Sequence, residues 1–382
     1  MNSEPLNKKK TTPGTITTNS ERTKPDRVRL RDDLRQLADV LINPDETVER
    51  LRAACADLEE ILIAIHGVPS AMTAENQRYR HASDFGEVIS PGYAISTMQD
   101  AIRTAKFLRA LVSEIRKAQA RRPGERIHIL YPGPGPNAPF CLLSTVFFRP
   151  DEIGFTLIEY MQESFDACRR MLTAFGCEDY LIDCMHGDAV LYKHAGPPAQ
   201  IAIAEIMQQA LRGEPQFSIF KNLAPQLSDD GVLIPARIEL RAGLSDPQRE
   251  YAPENRQSPQ LKAEAMALRS DLGPILELSK ATLLERYQLE PKRYERTQDW
   301  DVPDFKIPPL LTAARTFTIF TKIYLNDEIE LLEGESGLTM PVIEHHIPNV
   351  QPGDEIHCTF RLGARPGLVT EHHRPRMRIL KS

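Results

Sequence analysis

The stretch Ile127–Phe140, IHILYPGPGPNAPF, decides the fold. A linker sits in polar, low-complexity surroundings, whereas this proline- and glycine-rich segment follows the apolar run Ile127–Tyr131 and precedes another that opens at Phe140. The first run is short, β-branched at two positions and entered from the polar turn Arg121-Arg122-Pro123-Gly124-Glu125. That predicts a strand covered on both faces. The second run, Ala138 to Phe148, has the length of a short helix. Strand, glycine turn, helix is the ligand-loop order of α/β folds. Glycines at 133 and 135 allow close backbone approach, while prolines at 132, 134 and 136 remove amide donors. A ligand without phosphates therefore suits the loop better than one with them.

Outward from this loop, strand-like runs recur at Gly154–Glu159, Tyr180–Asp183, Gln200–Ala204 and Gly231–Leu240, with a helical stretch at Glu163–Phe175. Alternating strands and helices predict a mostly parallel sheet with both faces covered. Upstream, leucines at helical spacing from Val28 to Ile65 break once at Asn43-Pro44-Asp45, giving two amphipathic helices, and a third helix is expected from about Tyr93 to Ala118. Downstream, a helical segment is expected from Leu261 to Tyr287. The chain from Thr316 onward reads as several short strands, as in a sandwich or barrel. The divisions are a disordered polar tail over 1–27, helices over 28–120, a cofactor-binding unit over 121–241 and a barrel-like unit with a helical insertion over 242–382.

The chain has 382 residues and a formal net charge of −6. That balance offers no global attraction to nucleic acid or anionic lipid. No run reaches the length of a membrane span, and the first residues lack the apolar core of a secretory signal. Six cysteines without a C-x-x-C pair predict free thiols in a reducing, cytoplasmic setting. Adjacent histidines at 345–346 and 372–373 would point to opposite faces of a strand, so no metal site is expected.

Four features carry candidate chemistry. The Gly133-Pro134-Gly135 turn follows the first strand. Glu159 ends the second strand, where an acid can accept both hydroxyls of a ribose. Asp188, in His186-Gly187-Asp188-Ala189, lies beyond the third, either to meet a heterocyclic base or to cap a helix. Glu205 and Glu214 leave the end of the fourth strand nine residues apart. A pair of carboxylates there can do acid–base work, hold a metal or grip a cation, or simply face solvent.

Taken in order, ILYPGPGP, LIEY, HGDA, AEIMQQALRGE and NLAPQLSDDGVLIP resemble the class I S-adenosylmethionine-dependent methyltransferases, and within them the protein arginine methyltransferases. The likeness runs from about Asp84 to Gly363 and is most specific at the two glutamates. It implies a Rossmann-like methyltransferase sheet followed by a β-barrel-like domain, here with an N-terminal helical extension. It also implies that Arg103, Gly133, Gly135, Glu159 and Asp188 bind S-adenosylmethionine, and that Glu205 and Glu214 orient the methyl acceptor. Homologous folds often dimerise, which makes a homodimer one expectation. Departures are Tyr131 for an acid, Asn137 for the loop's third glycine, Ala204 for serine, Gln208 for glycine, and Glu335-Ser336-Gly337 where the family has threonine-histidine-tryptophan. These favour a guanidine or amine on a small molecule over a protein arginine. Methyl transfer to oxygen or carbon, and a non-catalytic binding module, stand as alternatives.

Overall fold

The computed structural model describes residues 27–70, 81–253, 258–289, 299–309 and 314–374. The tail expected over 1–27 lies outside them except for Arg27. That residue opens α1 (Arg27–Ile42), which buries Leu30, Leu34, Ala38 and Leu41 along one face. α2 (Val48–His66) starts where the Thr47 hydroxyl accepts the Arg50 amide at 3.3 Å and ends on Gly67 in the left-handed conformation. A short hairpin, β1 (His81–Ser83) and β2 (Gly86–Val88), leads to α3 (Pro91–Ser96).

The single helix expected over Tyr93–Ala118 is broken. After α3 a 3-10 turn, Thr97–Gln99, precedes Asp100 at φ −75°, ψ 72°, and only then does α4 (Ala101–Arg121) begin. The break has a local cause. Asp100 turns its carboxylate away from the helix, accepting the Ser336 hydroxyl at 2.6 Å and the Gly337 amide at 3.1 Å.

The expected parallel sheet is present. β3 (Ile127–Pro132), β4 (Ile153–Glu159), β5 (Leu181–His186), β6 (Ala199–Ile203) and β7 (Leu227–Ile234) lie in the order β5-β4-β3-β6-β7, all parallel. α5 (Pro139–Ser144), α6 (Gln162–Phe175) and α7 (Gln216–Leu223) connect them, so the architecture is Rossmann-like. Every residue of β3 and β4 is buried, as an apolar run covered on both faces should be. α1 and α2 pack on α4 and α6, adding helices to one face.

The run Gly231–Leu240, expected as one strand, is two strands in two sheets. Pro235 has no N–H to donate and cannot continue the ladder, so β7 stops at Ile234 and β8 (Arg237–Ser245) starts the next sheet. The helix expected over Leu261–Tyr287 is likewise divided. α8 (Pro247–Glu250) and α9 (Pro259–Met266) are followed by β9 (Ser270–Ser279) and then α10 (Lys280–Leu289). Gly273-Pro274 interrupts helical continuation, and Ile275, Leu276 and Leu278 are buried where β9 pairs with β8.

The remaining strands are β10 (Asp299–Trp300), β11 (Phe305–Lys306), β12 (Thr316–Tyr324), β13 (Glu330–Leu331), β14 (Val342–Ile343), β15 (Glu355–Arg361) and β16 (Gly367–His373). One sheet runs β13-β12-β8-β9 with β14 beside β12; the other runs β10-β15-β11 with β16 beside β15. Together they form a β-rich, barrel-like C-terminal unit. It is joined to the parallel sheet by Phe217 of α7, whose ring meets Trp300 at 4.9 Å and Phe360 at 5.4 Å. One apolar core runs from α1 into the last strands. Among the described residues no helix is long and apolar enough to cross a membrane.

Candidate functional site

Strand order reverses between β3 and β6, and the carboxyl ends of these two strands border the cavity, as open α/β sheets favour. On the β3 side, Gly133 and Gly135 have φ of 57° and 63°, a conformation that glycine adopts without penalty. Their amides are already engaged: Gly133 N–H donates to Ile158 O at 2.8 Å and Gly135 N–H to Glu159 Oε2 at 3.0 Å. A Cβ on Gly133 would stand 2.6 Å from Ile206 Cδ1, so the β6 side packs directly on the turn.

Glu159 is buried, and its other oxygen accepts the Met161 amide at 2.8 Å. Burial pushes its pKa up, and the backbone donors pull it back down. Asp188 caps no helix. It accepts the Val190 amide at 2.8 Å in a tight turn, and burial raises its pKa as well.

The segment from Glu205 to Glu214 is held at many points. Gln216, fully buried, accepts the Ile206 amide at 2.8 Å and donates to Ala204 O at 3.2 Å. Gly213 donates to Pro366 O and accepts from the Glu87 amide, Ala210 N–H reaches Thr321 Oγ1, and Arg212 pairs with the buried Glu344. Within this frame Ala210 and Leu211 both adopt φ of 55°, a conformation that costs a non-glycine residue about 1–2 kcal/mol. The anchors hold a strained loop in one shape.

Two adjoining cavities meet at this loop. The larger, about 530 Å³, is bordered by Arg103, Asp100, Tyr131, Asn137, Gly337 and Leu338. The smaller, about 90 Å³, is bordered by Glu159, Gly187, Asp188 and Glu87. Gly133, Gly135, Glu205 and Glu214 line both. The structure therefore brings all seven candidate residues to one site. Its linings carry the carboxylates of Asp100, Glu205, Glu214, Glu87, Glu159 and Asp188 against one basic side chain, Arg103. Such a lining favours a cationic ligand.

Arg103 and Glu205 are not independent of one another. Arg103 Nη1 lies 3.0 Å from Glu205 Oε2, and Arg103 Nη2 donates to Thr97 O. Desolvation raises the Glu205 pKa to about 7, with Arg103 lowering it and Asp100 raising it. Burial outweighs the ion pair.

Several site residues left no trace in the sequence patterns. Gln216 and Asp100 act through partners far along the chain. Gly86 could have been noticed as a glycine beside the hairpin turn: a Cβ there would lie 2.9 Å from both Gly213 O and Pro215 N.

No family model matches the chain, and neither does any curated protein. Among solved structures it is similar to a chain of the Trypanosoma brucei PRMT1 enzyme-prozyme heterotetrameric complex with AdoHcy, at 10% identity and a TM-score of 0.45, over 75% of this chain and 99% of that one. It is also similar to Arabidopsis thaliana protein arginine methyltransferase 10 in an open conformation, at 12% identity and a TM-score of 0.45, over 72% of this chain and 95% of that one. At these scores the likenesses carry no weight for family or chemistry.

Proposed function

We propose that the chain is an S-adenosylmethionine-dependent N-methyltransferase whose acceptor is a guanidinium or amine on a small molecule. The observation that carries this reading is the position of Glu205 and Glu214 on the wall shared by two acidic cavities. The donor set suits the cofactor. Each Glu159 oxygen keeps lone-pair capacity beyond its backbone N–H for ribose hydroxyls, Asp188 lies across the same chamber for the base, and Arg103 supplies a guanidinium for a carboxylate. The acidic lining suits a sulfonium. When bound, the cofactor supplies an activated methyl group.

Glu205 and Glu214 orient the acceptor. A guanidinium is not deprotonated near neutrality, so it has to be held by its planar fork with one nitrogen directed at the methyl donor. Two carboxylates on one wall do this and draw positive charge onto the nitrogens they hold. Rate then comes from positioning and electrostatics. The wall at Ser336–Leu338, tied to Asp100, encloses the larger cavity and supports a small acceptor; its volume falls in the range of about 300–1,000 Å³ common to small-molecule sites. Six unpaired cysteines support a reducing compartment, which we take as the cytoplasm.

The test is transfer of labelled methyl from S-adenosylmethionine to a panel of guanidines and amines. Glu205→Gln and Glu214→Gln should each abolish turnover while leaving cofactor binding nearly unchanged; full activity in both overturns the assignment. The Arg103–Glu205 ion pair favours a second reading, a non-catalytic module in which Glu205 serves only to neutralise Arg103. That reading expects no cofactor binding by calorimetry.

A further inference from the structure

The N-terminal helix pair touches the cavity through one buried polar junction. His66, the last residue of α2, is 4% exposed; Asn137, at the end of the glycine turn, and Met98, in the 3-10 turn before Arg103, are each 3% exposed. His66 Nδ1 accepts the Val68 amide at 3.1 Å, which fixes the ring proton on Nε2. Nε2–H therefore donates to Asn137 Oδ1 at 2.8 Å, leaving the Asn137 amide group to donate to Met98 Sδ at 2.8 Å. The main chain of His66 is held too, its carbonyl accepting from Arg170 at 3.0 Å. α2 packs along the same 3-10 turn and α4.

Asn137 is thus bonded at once to the helix pair and to the wall that carries Arg103, and both Asn137 and Met98 line the larger cavity. A buried amide satisfied on both sides fixes a distance as well as a direction. We propose that His66 is a positioning residue: acting through Asn137 and Met98, it sets the separation of the glycine turn from the Thr97–Arg103 wall, and so the affinity of the cavity for its ligand. The inference rests on the cofactor reading above for the identity of the probe, though not for the junction itself.

The experiment compares the full-length chain with His66→Phe, which keeps a ring and loses the donor, His66→Gln, which keeps a donor at similar reach, Asn137→Ala, and the His66→Phe/Asn137→Ala double variant. Binding of S-adenosylhomocysteine is measured by calorimetry, and hydrogen exchange of the Gly135 amide is followed in ligand-free protein. The expected result is about tenfold weaker binding in His66→Phe and in Asn137→Ala, no further loss in the double variant, and recovery to within about threefold in His66→Gln. Exchange at Gly135 should quicken in the same variants that bind weakly. Affinities within about twofold of the parent, or losses that add in the double variant, overturn the proposal. Should the parent chain bind no S-adenosylhomocysteine, the cofactor reading fails. Gly135 exchange then decides the junction alone: unchanged exchange in His66→Phe and Asn137→Ala overturns it, and faster exchange in both upholds the positional part. Should His66→Phe fail to fold, Asn137→Ala and His66→Gln carry the same comparison.

Discussion

Arg103 Nη1 and Glu205 Oε2 stand 3.0 Å apart with side-chain exposures of 8% and 13%, so the cation expected to hold a cofactor and the anion expected to hold an acceptor neutralise each other. Removing one member of a buried pair leaves the other uncompensated, at a cost of about 3–5 kcal/mol. Arg103→Met should therefore destabilise the fold by about that amount at pH 8, where Glu205 is ionised, and by clearly less at pH 5.5, where it is protonated. Urea unfolding at the two pH values measures this. An equal loss at both would mean that the two charges do not depend on one another.

Gly86 and Gly133 test how rigid the walls are. A Cβ at Gly86 meets backbone on both sides, Gly213 O and Pro215 N at 2.9 Å each, and neither can yield without moving the segment that carries Glu214. Gly86→Ala should cost about 3 kcal/mol. At Gly133 the nearest atom is the end of the Ile206 side chain, which can rotate, so Gly133→Ala should cost only about 1–2 kcal/mol, most of it from the positive φ, with part recovered by Ile206→Ala. Chemical denaturation gives the ranking, and the reverse order would show that the Glu205–Glu214 segment is soft.

Strain at Ala210 gives a third expectation. Its φ of 55° disfavours alanine, so Ala210→Gly relieves backbone strain while losing a methyl contact, and stability should stay within about 1 kcal/mol of the parent. The same change at Ala110, equally buried but inside α4, has no strain to relieve and should cost about 1–2 kcal/mol. Equal losses at the two positions would remove the strain from the account of the loop.

Much of this site was legible because its signals are local. The glycine turn lies between two apolar runs, and Glu205 and Glu214 sit nine residues apart just after a strand, so periodicity and spacing locate them. The failures share a different cause. Pro235 divides a continuous apolar run between two sheets, and Gly273-Pro274 turns a helical pattern into β9; in both places pairing with distant strands overrides a local pattern. Asp100 ends a helix because its carboxylate is drawn to Ser336, 236 residues away. Asn137 reads from sequence as a lost glycine, whereas its role comes from His66, 71 residues upstream. Contacts of this kind leave no period or motif to read.

The protonation of Glu205 sets stability and turnover against each other. Its ordinary pKa of 4.5 is raised to about 7 in the fold, so between those values the folded chain holds a proton that the unfolded chain has released. The stabilisation this provides is fully present below about 4.5 and is lost as pH rises through about 7. The stability of the parent chain relative to Glu205→Gln should therefore fall across that window and level off above it. Gripping a guanidinium needs the ionised form, so kcat/KM of the parent should rise through the same pH region while stability declines. Parallel unfolding and rate profiles from pH 5 to 9 check both halves. A stability difference that is flat or rises with pH would place Glu205 in a more polar setting than its burial beside Arg103 and Asp100 implies. A rate profile that ignores pH 7 would remove Glu205 from the acceptor site, leaving Glu214 to hold the guanidinium without it.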